Sequence, residues 1–466
     1  MKFLVILMFG LLVQQGRAAS VDDQTHVNLF QQELAYPLPS CEELRTQRTL
    51  CEHLREARER VQTMNLSIVA TSEQHQVRKK KVITSVLKRQ FAVVAYDPDA
   101  QTWHELVLSM PLVGNSTFQP DIVSADGQCQ VTRLKGQTFN KMIFRLYCDK
   151  RELLVYASQH LSLPPEWREQ KITSMTAKAE KVVYLATPPY LVNEEFAHLG
   201  RQYVLTVLTG VLRDLRALGV PSRAYPGRLV ADVITETMLL NLLVIEQTDP
   251  CLLQDREPGC VRLLPKLLYA LDEQVVDAVL TEFVINGLEA YRHICSVAAA
   301  CGAFQFTNNK TQAFRGTYNV VRQSYPSAQL DPLFTRGTRS FRNSAKAAAL
   351  LIDLELSSSG TPGWVREAVI SDERVGLLFP AAAYNGGASQ SRKLAQLVTE
   401  YRRLHGMNEF FFESFPWTHF FVWVKAKGLA LKKETLGYVK KSVDTWNHPL
   451  NRRLTPIEHD SRMKDF

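Results

Sequence analysis

The sequence predicts an α+β chain in which N-terminal helices and a small antiparallel β module precede a long all-α domain. Three observations carry this. Residues 41–88, beginning "CEELRTQRTLCEHLREARERVQTM", are charged and helix-favouring, with leucines spaced to share one helical face. From about Gln90 the chain changes to short β-branched and aromatic runs, "FAVVAY", "WHELVLSM", "CQVTRL", "MIFRLYC" and "ELLVYA", separated by "DPDA", "GNS", "ADG" and "KGQ". After Tyr190, apolar-periodic segments of helical length continue to about Val443. The implied layout is a leader at 1–18, a helical segment at 19–88, the β module at 89–162, a linker at 163–189 and a helical domain at 190–466.

The first element reads as a signal peptide. Lys2 precedes an apolar run over 3–13, and Gly16, Ala18 and Ala19 supply a small-residue cleavage site, placed after Ala18. No later stretch is long and apolar enough to span a bilayer. The chain is therefore expected to be exported, periplasmic or secreted. The roughly 450 residues that remain suffice for two or three domains.

Cysteine usage agrees with export. The eight cysteines fall in near neighbours: Cys41 and Cys51, Cys129 and Cys148, Cys251 and Cys260, Cys295 and Cys301. An even count behind a leader reads as disulfides, and neighbour pairing is the simplest of many connectivities. No CxxC pair is present, which removes zinc ribbons and thioredoxin-like redox sites. HExxH, Walker and GxSxG signatures are absent as well. A formal net charge of +8 suits a polyanionic partner, and on charge alone nucleic acid, anionic lipid and anionic cell-wall polymer qualify equally. The run "RKKK" at 78–81 reads as a solvated helix end.

The β module shows no chemistry of its own, and packing or binding is its expected role. The linker is marked by "LSLPPEWREQ" and "ATPPYL". Within the helical domain, "VITETMLLNLLVIEQTDP" (233–250) predicts a helix capped by Thr235 and stopped at Asp249-Pro250. Met238, Leu239, Leu240, Leu242, Leu243, Val244 and Ile245 cover nearly every face, so the helix is expected to be buried. Its last turn carries Glu246. Burial and the negative end of the helix dipole both disfavour the carboxylate, which raises the pKa into the range a general acid needs. A glutamate paired with a distant arginine, or pointing into solvent, fits the same sequence.

Four short motifs follow in order. "GAFQFTN" (302–308) resembles the Gly-Leu-Met-Gln motif of the lytic transglycosylase and goose-type lysozyme superfamily. "SFRNSAKAAALLIDLEL" (340–356) resembles that family's Asn-Ala-x-x-Ala helix, and "AAAYNGGASQSRKL" (381–394) its Ala-Tyr-Asn-Ala-Gly motif. "ETLGYVKK" (434–441) resembles its closing Glu-Thr-x-x-Tyr-Val segment. The resemblance covers only the helical half. It implies a lysozyme-like fold there and a lytic transglycosylase of peptidoglycan.

The resemblance implies the following site. Gly302 lets the backbone approach the sugar, Gln305 faces the cleft, and Phe304 and Phe306 anchor the segment in the core. Cys295 and Cys301 staple the loop that leads into it. Tyr384 and Asn385 lie on the cleft floor, and Tyr438 orients the acid or the muramic C6 hydroxyl. The catalytic glutamate ends a buried helix, usually as Glu-Ser. Here Gln247 follows Glu246, with a long intervening segment that reads as an insertion; Ala290 follows the alternative, Glu289, whose spacing is closer but whose helix is broken at Asn286-Gly287. The apolar helix favours Glu246. No cofactor and no metal are implied. The partner is peptidoglycan glycan strands and not nucleic acid, with room for a cell-wall or envelope protein on the β module. A lysozyme-type muramidase, with Asp249 or Asp255 as second carboxylate, and an inactive cell-wall binder are the alternatives. The aromatic stretch "FFFESFPWTHFFVW" (410–423) reads chiefly as a core helix pair broken at Pro416, with an interfacial membrane or partner surface as the other reading.

Overall fold

The computed structural model describes residues 36, 38–44, 48–77, 80–111, 120–125, 127–133, 144–162, 180–185, 194–247, 272–295, 300–307, 317–427 and 431–446. The leader at 1–18, Cys251, Cys260, Asp249 and Asp255 lie outside them. Helix α1 (Arg48–Thr63) precedes eight strands: β1 (Ile68–Val77), β2 (Lys80–Asp97), β3 (Thr102–Pro111), β4 (Asp121–Ser124), β5 (Cys129–Arg133), β6 (Phe144–Cys148), β7 (Arg151–Ser162) and β8 (Glu180–Leu185). Then come α2 (Glu194–Ala217), α3 (Glu236–Gln247) and α4 (Asp272–Asn286). A two-stranded ladder of β9 (Ala300–Cys301) and β10 (Phe306–Thr307) leads into α5 (Thr317–Ser324), α6 (Phe334–Arg339) and α7 (Phe341–Leu356). The last helices are α8 (Gly363–Ser371), α9 (Glu373–Gly386), α10 (Ala388–Leu404), α11 (Trp417–Ala426) and α12 (Lys433–Trp446). The class is α+β.

Two compact units share the chain by interleaving. One comprises Leu38–Val204, Gln247–Ser296 and Asp444–Phe466; the other comprises Met1–Pro37, Leu205–Glu246 and Val297–Val443. This differs from a single boundary at 190: the division falls inside α2, and α4 counts with the strands.

In the first unit the strands form one antiparallel sheet ordered β4-β3-β2-β7-β6-β5, with β1 also on β2 and β8 also on β7. Strand β2 explains its curl. Phe91, Val93 and Ala95 enter one core with Leu106, Leu108, Met110 and Leu146, while Ala92 and Val94 enter another with α1 residues Leu54, Ala57 and Val61. Both faces are buried, which is why "FAVVA" is a continuous apolar run and does not alternate. The ends of the path, β4 and β5, come back beside each other, so the sheet is nearly closed. The helical segment drawn at 19–88 is shorter than that: past Thr63 the chain is extended from Ile68 onward, and Val77 of β1 pairs with Lys80 of β2. Lys80 and Lys81 thus sit on a hairpin and not on a helix end. The β-branched Ile68, Val69, Thr71, Val82, Ile83, Thr84 and Val86 outweigh the helix-favouring charges there. Likewise β8 occupies part of the stretch drawn as linker.

Cys41–Cys51 and Cys129–Cys148 are bonded, the second as a directly opposed pair across β5 and β6. Cys295 and Cys301 are each in a disulfide too, so no described cysteine is free. Oxidised cysteines in this number fit an oxidising compartment. Among the described residues no helix is long and apolar enough to cross a membrane.

In the second unit α7 is the central helix. Ser340 caps it by accepting from the Asn343 amide, and its small residues Ala345, Ala347, Ala348 and Ala349 are fully buried, which lets neighbours pack closely. Asp353 on its buried face accepts from Ser222 Oγ at 2.5 Å, the Arg223 amide at 2.7 Å and Tyr325 Oη at 2.7 Å. A buried carboxylate satisfied three times ties the α2–α3 connection and the residue after α5 to this helix. In the aromatic stretch, α11 begins directly after Pro416; Phe412, Phe415, Trp417 and Phe420 are buried, while Phe411 and Val422 are exposed.

Candidate catalytic site

Helix α3 sets the position of Glu246. Thr235 Oγ1 accepts from the Met238 amide at 3.2 Å and starts the helix. Its seven apolar residues from Met238 to Ile245 are at most 2% exposed. At about 1.5–3 kcal/mol for each large side chain, their burial fixes the helix firmly. Between Met238 and Gln247, Glu246 is the one residue that reaches solvent. Its carboxyl therefore stands on an apolar base, in a residue that is only partly covered.

Burial pushes the Glu246 carboxyl up to about 7; a hydrogen bond from Tyr438 and the charge of Lys441 hold it from going further. Tyr438 Oη donates to Glu246 Oε1. Both Tyr438 and Lys441 lie on α12, three residues apart, so they project from the same side of that helix. The Tyr438 ring lies nearly parallel to that of Tyr384, with centroids 6.5 Å apart and planes at 11°. Burial and the charge of Glu246 hold both phenols well above their ordinary range, so each remains a proton donor.

Tyr384 links this pair to the glutamine turn. Its hydroxyl donates to the Phe304 carbonyl, and its ring meets that of Phe306 with centroids 6.0 Å apart. Phe304 and Phe306 are fully buried, whereas Gln305 between them is partly exposed. Gln305 has a left-handed backbone, φ 49°, and its Nε2 donates to the Gly302 carbonyl at 2.8 Å. The turn therefore buries two rings and leaves Gln305 partly exposed, its amide folded back on the Gly302 carbonyl. Glu246, Tyr438, Tyr384, Phe304 and Gln305 form one connected cluster within the helical unit.

Gly302 has φ +78°, and a Cβ there would lie 2.1 Å from the Thr338 carbonyl oxygen, so contact with Thr338, at the end of α6, is what demands a glycine. Asn385 lies in the last turn of α9, whose exit is made by Gly387 at φ +83°. Gly386 stands where the family motif has alanine. A Cβ there would meet Thr435 Oγ1 at 2.5 Å and the Gln390 side chain, so α9 and α12 approach closely at this point.

Glu289 is not part of the cluster. It ends a single turn after α4, in the sheet-containing unit, with its side chain 45% exposed and paired to Arg292 at 2.5 Å. It lacks the apolar surroundings of Glu246. Lys441 and Thr338 lie outside the four motifs' expected site residues. Lys441 carried a signal, its spacing of three from Tyr438 in "YVKK"; Thr338 carried none.

Replacing Tyr438 by phenylalanine removes a donor that favours the charged acid. The Glu246 midpoint should rise above about 7, read by carboxyl carbon NMR of selectively labelled protein. An unchanged or lower midpoint would show that the bond does not hold the acid. No family model, curated protein or solved structure matches this chain.

Proposed function

We propose that this protein is an exported lytic transglycosylase that cleaves peptidoglycan glycan strands between N-acetylmuramic acid and N-acetylglucosamine. The observation that carries this reading is the carboxyl of Glu246, raised to about 7 by burial and bonded to Tyr438 in the same cluster as Tyr384 and Gln305. An acid poised near neutral pH suits both halves of such a reaction. Glu246 donates its proton to the glycosidic oxygen as the bond from the muramic C1 breaks. The resulting carboxylate then takes the proton of the C6 hydroxyl as its oxygen bonds to C1, closing a 1,6-anhydro ring. The acid returns to its starting state and no water is consumed.

Tyr438 is assigned the orientation of the carboxyl, and Lys441 the moderation of its charge. Gln305, partly exposed in an otherwise buried turn, is assigned to the substrate's polar groups, together with Tyr384 and Asn385. The lysozyme-like arrangement of the helical unit belongs to the same proposal. It is supported by the order of the four motifs, three of which contribute residues to one cluster.

Mass spectrometry of sacculi incubated with the purified protein tests the reading. Soluble muropeptides with 1,6-anhydro ends are expected. Products with reducing ends would indicate a lysozyme-type hydrolase instead, and sedimentation with sacculi without release would indicate a binder.

A further inference from the structure

A groove in the helical unit shares no residue with the Glu246 cluster. It is about 550 Å³ in volume and is lined by Tyr401, His405, Met407, Pro416, His419, Val422 and Trp423. That size admits a small ligand. The lining combines two exposed imidazoles with the partly exposed ring of Trp423 and the apolar Met407, Pro416 and Val422. No carboxylate contributes to it.

Tyr401 supplies an independent indication. The residue is only 3% exposed, and its ring is held by His405, Phe415, Phe420 and Trp423, with centroids 4.2–5.6 Å away. Its hydroxyl has no hydrogen-bond partner among the described residues, yet it is not sealed from solvent. A buried tyrosine normally satisfies its hydroxyl inside the protein. Here the hydroxyl of a nearly buried side chain stays open, and the groove is what the residue lines.

We infer that this groove binds an amino-sugar segment of a glycan, away from the cleavage site. A sugar ring offers what the lining lacks and complements what it has. Its axial C–H face packs on Trp423 and Pro416, and its hydroxyl and acetamido groups meet Tyr401 Oη and the nitrogens of His405 and His419. The ligand class rests on the proposed activity toward peptidoglycan; the groove and its open hydroxyl do not. A second holding point would keep a strand on the protein between cleavage events.

The test uses the full-length Glu246→Gln protein, titrated with an N-acetylglucosamine tetramer while the imidazole C–H resonances of His405 and His419 are followed by NMR. His405→Gln and His419→Gln variants assign the two signals. Both should shift in a saturable manner, and Tyr401→Phe, which keeps the ring packing, should weaken binding about fivefold, the effect of one hydrogen bond. Signals that stay still, or a midpoint unmoved by Tyr401→Phe, overturn the inference. If they stay still while the wild-type protein releases muropeptides, the groove assignment falls and the catalytic reading stands. If they shift while no muropeptides are released, the reverse holds.

Discussion

Glu246→Gln should lower muropeptide release by about 10³-fold, within the range that general acid–base groups contribute, while Glu289→Gln should leave it within about twofold. Glutamine is close to glutamate in shape and keeps an oxygen that can accept from Tyr438, so the comparison isolates the proton. The converse result, with release lost only in Glu289→Gln, would move the chemistry to the other unit. The pH profile adds a second check. The competent ground state is the protonated acid, so release should fall as pH rises through about 7. In Tyr438→Phe the falling limb should move to higher pH. The same titration reaches stability. The folded-state value, about 7, lies above the ordinary 4.5, so between these two the folded protein binds the extra proton and loses stability as pH rises. Above pH 7 the cost reaches its full size, about 3 kcal/mol as an upper estimate at 1.36 kcal/mol per pH unit. Glu246→Gln should therefore be the more stable protein at pH 8, with the gap closing below pH 4.5, in denaturant melts at each pH.

The raised carboxyl of Glu246 was legible because its cause is local. An apolar run that covers every face of a helix announces burial, and a single carboxyl in its last turn inherits the consequence. The directly opposed Cys129 and Cys148 were legible for a similar reason, since short strands with a tight separation leave few other partners. Residues 68–88 were not. Their Glu, Gln, Lys and Arg favour a helix in isolation, and what overrides them is the ladder between β1 and β2, which no short window displays. The interleaving of the two units was hidden in the same way. Nothing around Gln247 signals that the chain leaves the helical unit there and rejoins it near Val297. The consequence for the site is large, because this division separates Glu246 from Glu289, two candidates that sequence spacing alone leaves in competition.

At Gly302 the resemblance implies space for a sugar; the structure adds a second demand for glycine, the carbonyl of Thr338. Gly302→Ala would force a left-handed conformation on a residue with a Cβ, at about 1–2 kcal/mol, and would add a clash at 2.1 Å with backbone that has no rotamer to escape into. The sum should be a loss of about 3 kcal/mol or more. It should also reach the chemistry. The turn that begins at Gly302 places the Phe304 carbonyl, which Tyr384 bonds, and the Tyr384 ring lies against Tyr438, the donor to Glu246. A shift of this turn should therefore lower release from protein that remains folded, at a temperature well below its midpoint. Denaturant melts give the first quantity and muropeptide yield per folded molecule the second. If alanine at 302 costs less than about 1 kcal/mol, the contact with Thr338 is not what fixes the turn. If the loss of stability appears without any loss of release per folded molecule, the turn is not coupled to the acid, and Gln305 would have to reach the substrate independently of the tyrosine pair.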